Sequence, residues 1–248
     1  MQANEKDIAA LVRRIVLEMT AAETAAAGAS TGATAGSAAG AVQSGTAGAA
    51  GSEGLISVGV SNRHIHLTKE HLESLFGAGY QLTPIKDLSQ PGQYACKEQL
   101  TIIGPSLRPI EHVRVLGPLR AASQVEISMT DAYQLKLNPP VRESGNVRGS
   151  APLTLVGPCG VVNLTEGCII ANRHIHMTPA DARRFGVTDG QTVTVEPLHT
   201  QRKTRWYEVQ IRVHPQFQLE MHVDTDDANA AGLACGAQVQ IVKESCHA

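Results

Sequence analysis

Hydrophobic positions divide the chain into three zones. Between residues 1 and 20, six apolar residues have the i, i+3, i+4, i+7 spacing of one helix face: Ile8, Leu11, Val12, Ile15, Val16 and Met19. Residues 21–53 are almost only Ala, Gly, Ser and Thr, which supply no large side chains to a core. The pattern therefore predicts an amphipathic helix over 1–20, a flexible linker over 21–53 and a folded body from residue 54 onward.

The apolar stripe of the N-terminal helix needs a partner, because an isolated helix this short is marginal in water. Two interpretations are open: the stripe binds another protein, or it folds back on the body of its own chain. We favour binding to another protein, because a helix that packs on the body of its own chain would not need so long a linker.

Short β-type runs separated by Gly-Pro turns dominate the body, and this pattern is typical of a barrel or a sandwich. The predicted strands are Leu55–Val60, Leu100–Ile103, His112–Leu116, Gln124–Ile127, Leu153–Val156, Thr192–Val195, Tyr207–Val213 and Gln238–Val242. Two short helices are also predicted, with Thr68 and Thr178 as N-caps and Pro179 at the first helical position.

Composition narrows the function classes. The chain has 248 residues, 42% of them hydrophobic, and a formal net charge of −2, which disfavours a general nucleic-acid binder. No apolar run approaches the ~20 residues of a membrane span, and the N-terminus lacks a secretory signal pattern. Five cysteines without a Cys-x-x-Cys spacing argue against a disulfide framework or a zinc finger, and predict a reducing compartment.

An internal repeat is the most informative feature. The segment Ser-Asn-Arg-His-Ile-His-Leu-Thr at 61–68 recurs as Ala-Asn-Arg-His-Ile-His-Met-Thr at 171–178. A fainter repeat aligns Val113–Val115 with Ile211–Val213, and each run is followed by a strand and a helix start. Counting back six residues from Ala132 and Ala228 gives Glu126 and His222, respectively. We therefore expect two similar small domains, each with a His-x-His pair and one further ligand-type residue.

The paired histidines predict metal binding. Residues i and i+2 of a strand point to the same face, so His64 with His66, and His174 with His176, can each converge on one ion. Imidazole suits zinc, and catalytic zinc usually has three protein ligands, so the natural third ligands are Glu126 and His222. A purely structural duplication is the alternative. For the remaining histidines we expect exposure or local hydrogen bonds: His71, His112, His199, His214 and His247.

These segments resemble the PduL-type phosphotransacylases, the phosphate propanoyltransferases of bacterial microcompartments. The resemblance covers essentially all of 55–243. Its specific marks, besides the two repeated segments, are Lys-Asp-Leu-Ser-Gln-Pro-Gly-Gln-Tyr at 86–94 and Arg-Val-Leu-Gly-Pro-Leu-Arg at 114–120. It implies a mainly β fold of two small barrels related by internal duplication and capped by short α-helices. The first barrel would comprise 54–62 with 172–248, and the second 63–171.

The resemblance also implies the site. One zinc ion would be held by His64, His66 and Glu126, and the other by His174, His176 and His222. Arg120 matches the phosphate-contacting arginine, and with Glu126 it is the predicted catalytic residue. The residues that match positions lining the coenzyme A site are Ser61, Lys86, Arg114, Leu116, His222 and Asn229.

The implied reaction is phosphate attack on a short-chain acyl-CoA, giving acyl phosphate and CoA. The N-terminal helix would be an encapsulation peptide that binds microcompartment shell or core proteins, the enzyme would reside in the microcompartment lumen, and a homodimer or higher assembly is expected. Several points stay open. The acyl group can be propanoyl or acetyl, and zinc can polarise the carbonyl or stabilise the thiolate. A zinc thioester hydrolase and a non-catalytic shell-associated protein are the competing function classes.

Overall fold

The computed structural model describes residues 54–242, and the predicted N-terminal helix and linker lie outside this range. The described region contains fourteen strands: β1 Leu55–Ser61, β2 His64–His66, β3 Pro84–Asp87, β4 Tyr94–Ile103, β5 Pro109–Gly117, β6 Gln124–Glu126, β7 Val141–Arg142, β8 Ala151–Val156, β9 Val161–Ala171, β10 His174–Met177, β11 Thr192–Pro197, β12 Trp206–Val213, β13 Glu220–Asp224 and β14 Gln238–Ile241. It also contains four short helices: α1 Lys69–Phe76, α2 Met129–Leu135, α3 Pro179–Phe185 and α4 Thr225–Ala231. No helix within 54–242 is long and apolar enough to cross a membrane.

The strands form two closed six-stranded barrels. The first barrel has the order β1-β13-β10-β12-β11-β14, and β14 pairs back to β1. In the second barrel the order is β4-β5-β2-β6-β9-β8, and β8 closes the ring on β4. Strands β3 and β7 attach to β4 and β9. The prediction of a mainly β fold with two small barrels and short helices is confirmed.

The two barrels repeat one set of pairings. Strand β2 is parallel to β5 and antiparallel to β6, and β10 is likewise parallel to β12 and antiparallel to β13. The register aligns His64 with Glu126 and His174 with His222, so Glu126 and His222 are structural equivalents.

The predicted alignment of Val113–Val115 with Ile211–Val213 is wrong by two residues. Arg114 pairs with His64, whereas the residue that pairs with His174 is Gln210. Arg212 instead lies opposite His176. The two runs share an alternating apolar pattern, and such a pattern matches itself equally well after a shift of two residues.

The chain crosses between the barrels at both repeated motifs. Strand β1 ends in the first barrel at Ser61, and β2 begins in the second barrel at His64. Strand β9 ends in the second barrel at Ala171, and β10 begins in the first barrel at His174. Since β1 and β9 are the parallel neighbours of β13 and β6, each half of the chain supplies its first strand to the other half's barrel.

Side chains of the His-Ile-His motif alternate between the two faces of the strand, so the isoleucine enters the barrel core and the histidines lie outside it. Ile65 and Ile175 are fully buried, each in the apolar core of its own barrel. Their neighbouring histidines point to the other strand face, as the period of two requires. Thr68 and Thr178 cap α1 and α3 as predicted, and Pro179 begins α3. These caps fix the chain immediately after each His-Ile-His.

Candidate active site

A cavity of about 360 Å³ is lined by residues of both barrels. The two crossing segments, 61–64 and 171–174, supply part of its wall. Both histidine pairs face this one cavity. The strand exchange therefore brings both copies of the motif to a shared space.

The second barrel contributes a cluster of His64, His66 and Glu126, whose ligand-type atoms all lie within 4.8 Å of one another. His64 Nδ1 lies 2.8 Å from the carbonyl oxygen of Asn62, and its Nε2 lies 3.5 Å from Glu126 Oε2. Because a carbonyl oxygen only accepts, Nδ1 is the donor and Nε2 faces the carboxylate.

Burial and charge oppose each other in this cluster. Burial alone would lower the pKa of His64, but the Glu126 carboxylate raises that pKa above its ordinary value. Burial would raise the pKa of Glu126, but His64 holds it well below the usual range. Burial and then the charge of His64 lower the pKa of His66 to about 3. A cation bound here would need the Nε2 lone pair of His64, so its binding would compete with protonation of that ring.

The first barrel contributes the equivalent cluster of His174, His176 and His222, with ligand-type atoms within 4.8 Å. His174 Nδ1 lies 2.7 Å from the carbonyl oxygen of Asn172, as in the other motif, and His174 Nε2 lies 3.1 Å from His176 Nε2. Burial, followed by the neighbouring imidazoles, lowers the pKa of His174 to about 4 and that of His176 to about 2. Both rings are therefore neutral at neutral pH.

Both clusters fit a divalent metal ion such as zinc. With Nδ1 of His174 donating to a carbonyl, its Nε2 presents a lone pair toward Nε2 of His176, which is the arrangement a shared cation needs. The buried Nδ1 atoms of His66 and His176 have no hydrogen-bond partner within the described chain. Neutral imidazoles with one carboxylate, or with a third imidazole, are donor sets that zinc accepts.

Three arginines line the cavity with the clusters: Arg120, Arg212 and Arg63, of which Arg63 is ion-paired with Asp131 at 2.8 Å. Arg120 is half-buried and donates from Nη1 to Ser144 Oγ at 3.1 Å. Burial lowers the pKa of Arg120, and the charge of Arg212 adds to this effect. Arg212 is also half-buried, and its guanidinium has no hydrogen bond or ion pair to another residue of 54–242. Sequence reasoning missed Arg212, because its place beside His176 depends on the parallel pairing of β10 with β12.

The third residue of each cluster, Glu126 or His222, has a polar neighbour two positions earlier. Gln124 Nε2 donates to Glu126 Oε1 at 2.6 Å and contacts Ser144 Oγ at 3.0 Å. His222 Nε2 lies 2.7 Å from Glu220 Oε2. Burial would raise the pKa of Glu220, but hydrogen bonds from His222 and Ser89 lower it, so Glu220 is an ionised acceptor.

A loop of the second barrel reaches across to the first. We call residues 88–93, between β3 and β4, the strap; its Leu88 and Gln93 line the cavity. Gln90 is 3% exposed. Its Nε2 donates to the carbonyl oxygen of Gln218 at 3.1 Å, and its Oε1 accepts from the amide of Gln218 at 3.2 Å. Ser89 Oγ donates to Glu220.

The six residues expected at the coenzyme A site have different positions. Ser61, Leu116 and His222 line the cavity, and three others lie outside it: Lys86, Arg114 and Asn229. Lys86 is exposed on β3 and Asn229 is exposed on α4. Arg114 donates to the carbonyl oxygens of Cys96 and Lys97, at 2.9 Å and 3.1 Å.

Comparison with known proteins identifies the family of this chain. A family model described as phosphate propanoyltransferase matches residues 57–234. The chain belongs to the phosphate propanoyltransferase family. A phosphate propanoyltransferase of Lachnoclostridium phytofermentans is 56% identical over 200 residues, which is 81% of this chain and 91% of that protein. Its namesake from Thermotoga maritima is 54% identical over 188 residues, 76% of this chain and 89% of the relative.

A third relative agrees. The phosphate propanoyltransferase of Enterococcus faecalis is 48% identical over 186 residues, 75% of this chain and 87% of that protein. The family match spans both motifs and all six cluster residues. The predicted family and the predicted enzyme class, an acyltransferase, are therefore confirmed.

Proposed function

We propose that this enzyme transfers a propanoyl or acetyl group from coenzyme A to phosphate in the cavity between its barrels, using two zinc ions. A phosphate oxygen attacks the thioester carbonyl, the C–S bond breaks, and the products are acyl phosphate and the CoA thiolate. The observation that supports this most is that two metal-type clusters and the guanidinium groups of Arg120 and Arg212 face one cavity. Separate metal sites on distant surfaces would support no joint chemistry.

His64, His66 and Glu126 would hold one zinc ion, and His174, His176 and His222 the other. Bound zinc supplies a Lewis acid for the carbonyl or a counter-charge for the departing thiolate, and we favour the second role at the Glu126 site because zinc binds sulfur well. The two Nδ1–carbonyl hydrogen bonds, to Asn62 and Asn172, hold the rings of His64 and His174 in one tautomer. This pre-orients both sites.

The arginines would bind the phosphate. A guanidinium group matches phosphate bidentately, and the Ser144 hydroxyl holds Arg120 in place beside Glu126. Arg212 faces the same space with its donors unused by residues of 54–242. Fixing phosphate against the carbonyl converts a bimolecular encounter into a positioned one.

The longer part of coenzyme A would extend from the cavity over residues outside it. Lys86 lies two residues before Leu88, and Arg114 lies two residues before Leu116, and both leucines line the cavity. Asn229 lies on α4, whose N-cap Asp224 also lines the cavity. Each of the three therefore belongs to an element that begins or ends at the cavity wall.

The decisive experiment is an assay of the zinc-loaded enzyme with propanoyl-CoA and acetyl-CoA, with and without phosphate. We expect acyl phosphate and free CoA to form only when phosphate is present, and the faster thioester identifies the acyl group. CoA release that does not depend on phosphate would instead identify a thioester hydrolase.

Metal analysis tests the ligand assignment in the same preparations. We expect about two zinc ions per chain from the two three-ligand sets, and about one after His66→Ala. The matched control is His199→Asn, an exposed histidine with φ 55°, where Asn tolerates the left-handed backbone. Normal zinc content and full activity in His66→Ala would refute the ligand role of His66.

The N-terminal segment suggests where the enzyme works. We infer from the apolar stripe at 1–20 and the Ala/Gly-rich stretch at 21–53 that residues 1–20 are an encapsulation peptide, which binds shell or core proteins and directs the enzyme to a microcompartment lumen. Deleting 1–20 should abolish co-purification with compartments while acyl transfer continues; retention of the shortened chain would refute this. We also propose a homodimer or higher assembly, which light scattering of the full chain would test.

A further inference from the structure

Glu220 and Gln124 hold equivalent positions in the two barrels. Gln124 pairs with His66 across β2 and β6, and Glu220 pairs with His176 across β10 and β13. Each lies two residues before its third ligand residue, and so on the same strand face. Each side chain contacts that residue directly, at 2.6 Å and 2.7 Å.

The chemistry of these two partners is opposite, and it follows the chemistry of the ligand. Glu126 is a carboxylate that only accepts hydrogen bonds, and its partner Gln124 provides an N–H donor. His222 has a ring N–H to donate, and its partner Glu220 provides a carboxylate oxygen that accepts. With the partners exchanged, a carboxylate would face a carboxylate in one site. The pairing is therefore specific to each site.

The surroundings are adapted to hold the Glu220 carboxylate. Gly59 pairs with His222 across β1 and β13, and a Cβ atom at Gly59 would lie 3.0 Å from Glu220 Cδ and 3.1 Å from its carboxylate oxygens. Even an alanine would therefore crowd the carboxylate. Ser89 of the strap donates to the same oxygen, Oε2, that contacts His222.

Glu220 stands beside the first-barrel cluster. The set of ligand-type atoms within 4.8 Å of one another in this barrel's site, among the residues described, comprises the imidazoles of His174, His176 and His222. The Glu220 carboxylate contacts one of those rings, His222, and belongs to its surroundings. A carboxylate that holds Nε2 of His222 in this way leaves the other ring nitrogen, Nδ1, to bind a metal ion.

We propose that Glu220 is the positioning residue of the first-barrel metal site, which fixes the ring of His222 and strengthens its other nitrogen as a ligand. This inference rests on the proposed zinc sites. Gln124 has the matching role for Glu126 in the second-barrel site. Removing a hydrogen-bond partner of this kind typically lowers metal affinity by about 10- to 100-fold.

The test measures the two zinc dissociation constants of the full-length enzyme by competition with a chromophoric chelator. Glu220→Ala should weaken the binding of one zinc ion by roughly 10- to 100-fold and leave the dissociation constant of the other ion unchanged. Glu220→Gln should have a smaller effect, because its amide oxygen still accepts from His222 but has no charge. Glu208→Gln, an exposed glutamate of the same barrel, is the matched control and should change neither constant.

Two further variants assign the affected ion. His176→Ala should abolish binding of the zinc ion whose affinity Glu220→Ala lowers. His66→Ala should abolish binding of the other zinc ion. Gln124→Leu should weaken binding of the zinc ion whose affinity Glu220→Ala leaves unchanged. A purely structural role for Glu220 would not produce this selectivity, because loss of fold weakens both sites together.

The outcomes separate this inference from the proposal beneath it. Fewer than two zinc ions on the unmodified enzyme would overturn the metal sites and the role of Glu220 with them. Two zinc ions with unchanged constants in Glu220→Ala would overturn only the role of Glu220. An equal loss at both sites in Glu220→Ala would also overturn it.

Discussion

Buried, uncharged imidazoles are the central residue-scale feature of the cavity. The pKa values of His66, His174 and His176 are lowered to about 3, 4 and 2 by burial and then by neighbouring charges. A ring with such a pKa keeps its lone pair through the whole physiological pH range. A metal ion bound by these three rings would therefore not compete with protons for them.

Arg120 gives the sharpest residue-scale prediction. Arg120→Ala removes a guanidinium that Ser144 holds in the cavity, and we expect kcat/KM for phosphate to fall by about 10²- to 10³-fold. Arg120→Lys should recover little, because an ammonium group lacks the bidentate fork. Steady-state kinetics with phosphate as the varied substrate would measure this.

The control for Arg120 is Arg108→Ala, an exposed arginine of the same barrel, which should leave both kinetic constants unchanged. The KM for acyl-CoA should change much less than the KM for phosphate in Arg120→Ala. An unchanged phosphate KM together with an unchanged rate would contradict the role given to Arg120.

The candidate site was predictable from the sequence where a local rule applied. Same-face geometry paired the motif histidines, and the distance to the next helix start led to Glu126 and His222, which the structure aligns with His64 and His174. Arg212 and Glu220 followed no local rule. Their positions beside His176 depend on which strands pair and in what register, and this is a property of the whole barrel.

At the scale of elements, the strap is the feature that closes the cavity across two barrels. Both hydrogen bonds of the Gln90 side chain go to the backbone of one residue, Gln218. Because Gln90 is buried, an amide here fixes the strap more firmly than an exposed one would. Leu88 and Gln93, which line the cavity, lie two residues before and three residues after this contact in the same strap.

Gln90→Ala should loosen the strap. It removes both hydrogen bonds to the backbone of Gln218, an exposed residue whose freed N–H and carbonyl can bind water, at a cost of roughly 0.5–1.5 kcal/mol for each hydrogen bond. We expect faster amide hydrogen exchange in residues 88–93 and a lower kcat, with more CoA released without phosphate because water enters the cavity. Gln134→Ala, which removes an exposed amide that donates to Pro109, should do neither. Unchanged exchange in 88–93 would show that Gln90 does not hold the strap.

Two strands show where element prediction failed. Only Leu100–Ile103 of the ten-residue β4 was predicted, because Lys97, Glu98 and Gln99 interrupt the apolar pattern. Glu98 is nevertheless buried, and its carboxylate accepts from Tyr80 Oη and from the amide of Thr83. A charged residue satisfied by distant partners cannot be recognised as interior from its neighbours in sequence.

Strand β9, Val161–Ala171, was not predicted at all, although it is eleven residues long. Its first half alternates buried and exposed residues, and its second half is buried continuously. Gly167 separates the two halves with a φ of 144°. Neither half alone is long enough to suggest one strand through a glycine, and only pairing with β6 and β8 makes it continuous.

At the scale of the whole molecule, the exchange of β1 and β9 makes each barrel depend on both halves of the chain. The first barrel contains β1 from the N-terminal half, and the second contains β9 at the start of the C-terminal half. Neither half can close a barrel without the other. We therefore expect the two barrels to unfold together, although each has its own core.

A core variant in one barrel and a probe in the other test this dependence. Leu155 is fully buried in the second barrel, and Leu155→Ala should cost about 2–5 kcal/mol. The chain's single tryptophan, Trp206, is buried in the first barrel. Its fluorescence should report a lower denaturation midpoint in Leu155→Ala, coincident with the circular dichroism of the whole chain.

Val161→Ala is the matched control, because Val161 lies in the same barrel but is 36% exposed; it should leave the midpoint nearly unchanged. A Trp206 transition that stays at its original midpoint in Leu155→Ala, while circular dichroism reports an earlier separate transition, would show that the barrels unfold independently.

Joining the two halves in one polypeptide removes a constraint of symmetry. In an assembly of two identical halves, every substitution would occur twice, and both sites would keep the same third residue. In a single chain each copy can change alone, and here one copy has Gln124 with Glu126 where the other has Glu220 with His222. The exchanged strands keep both copies at one cavity while their chemistry diverges, so one repeated motif can give a division of labour between two unlike sites.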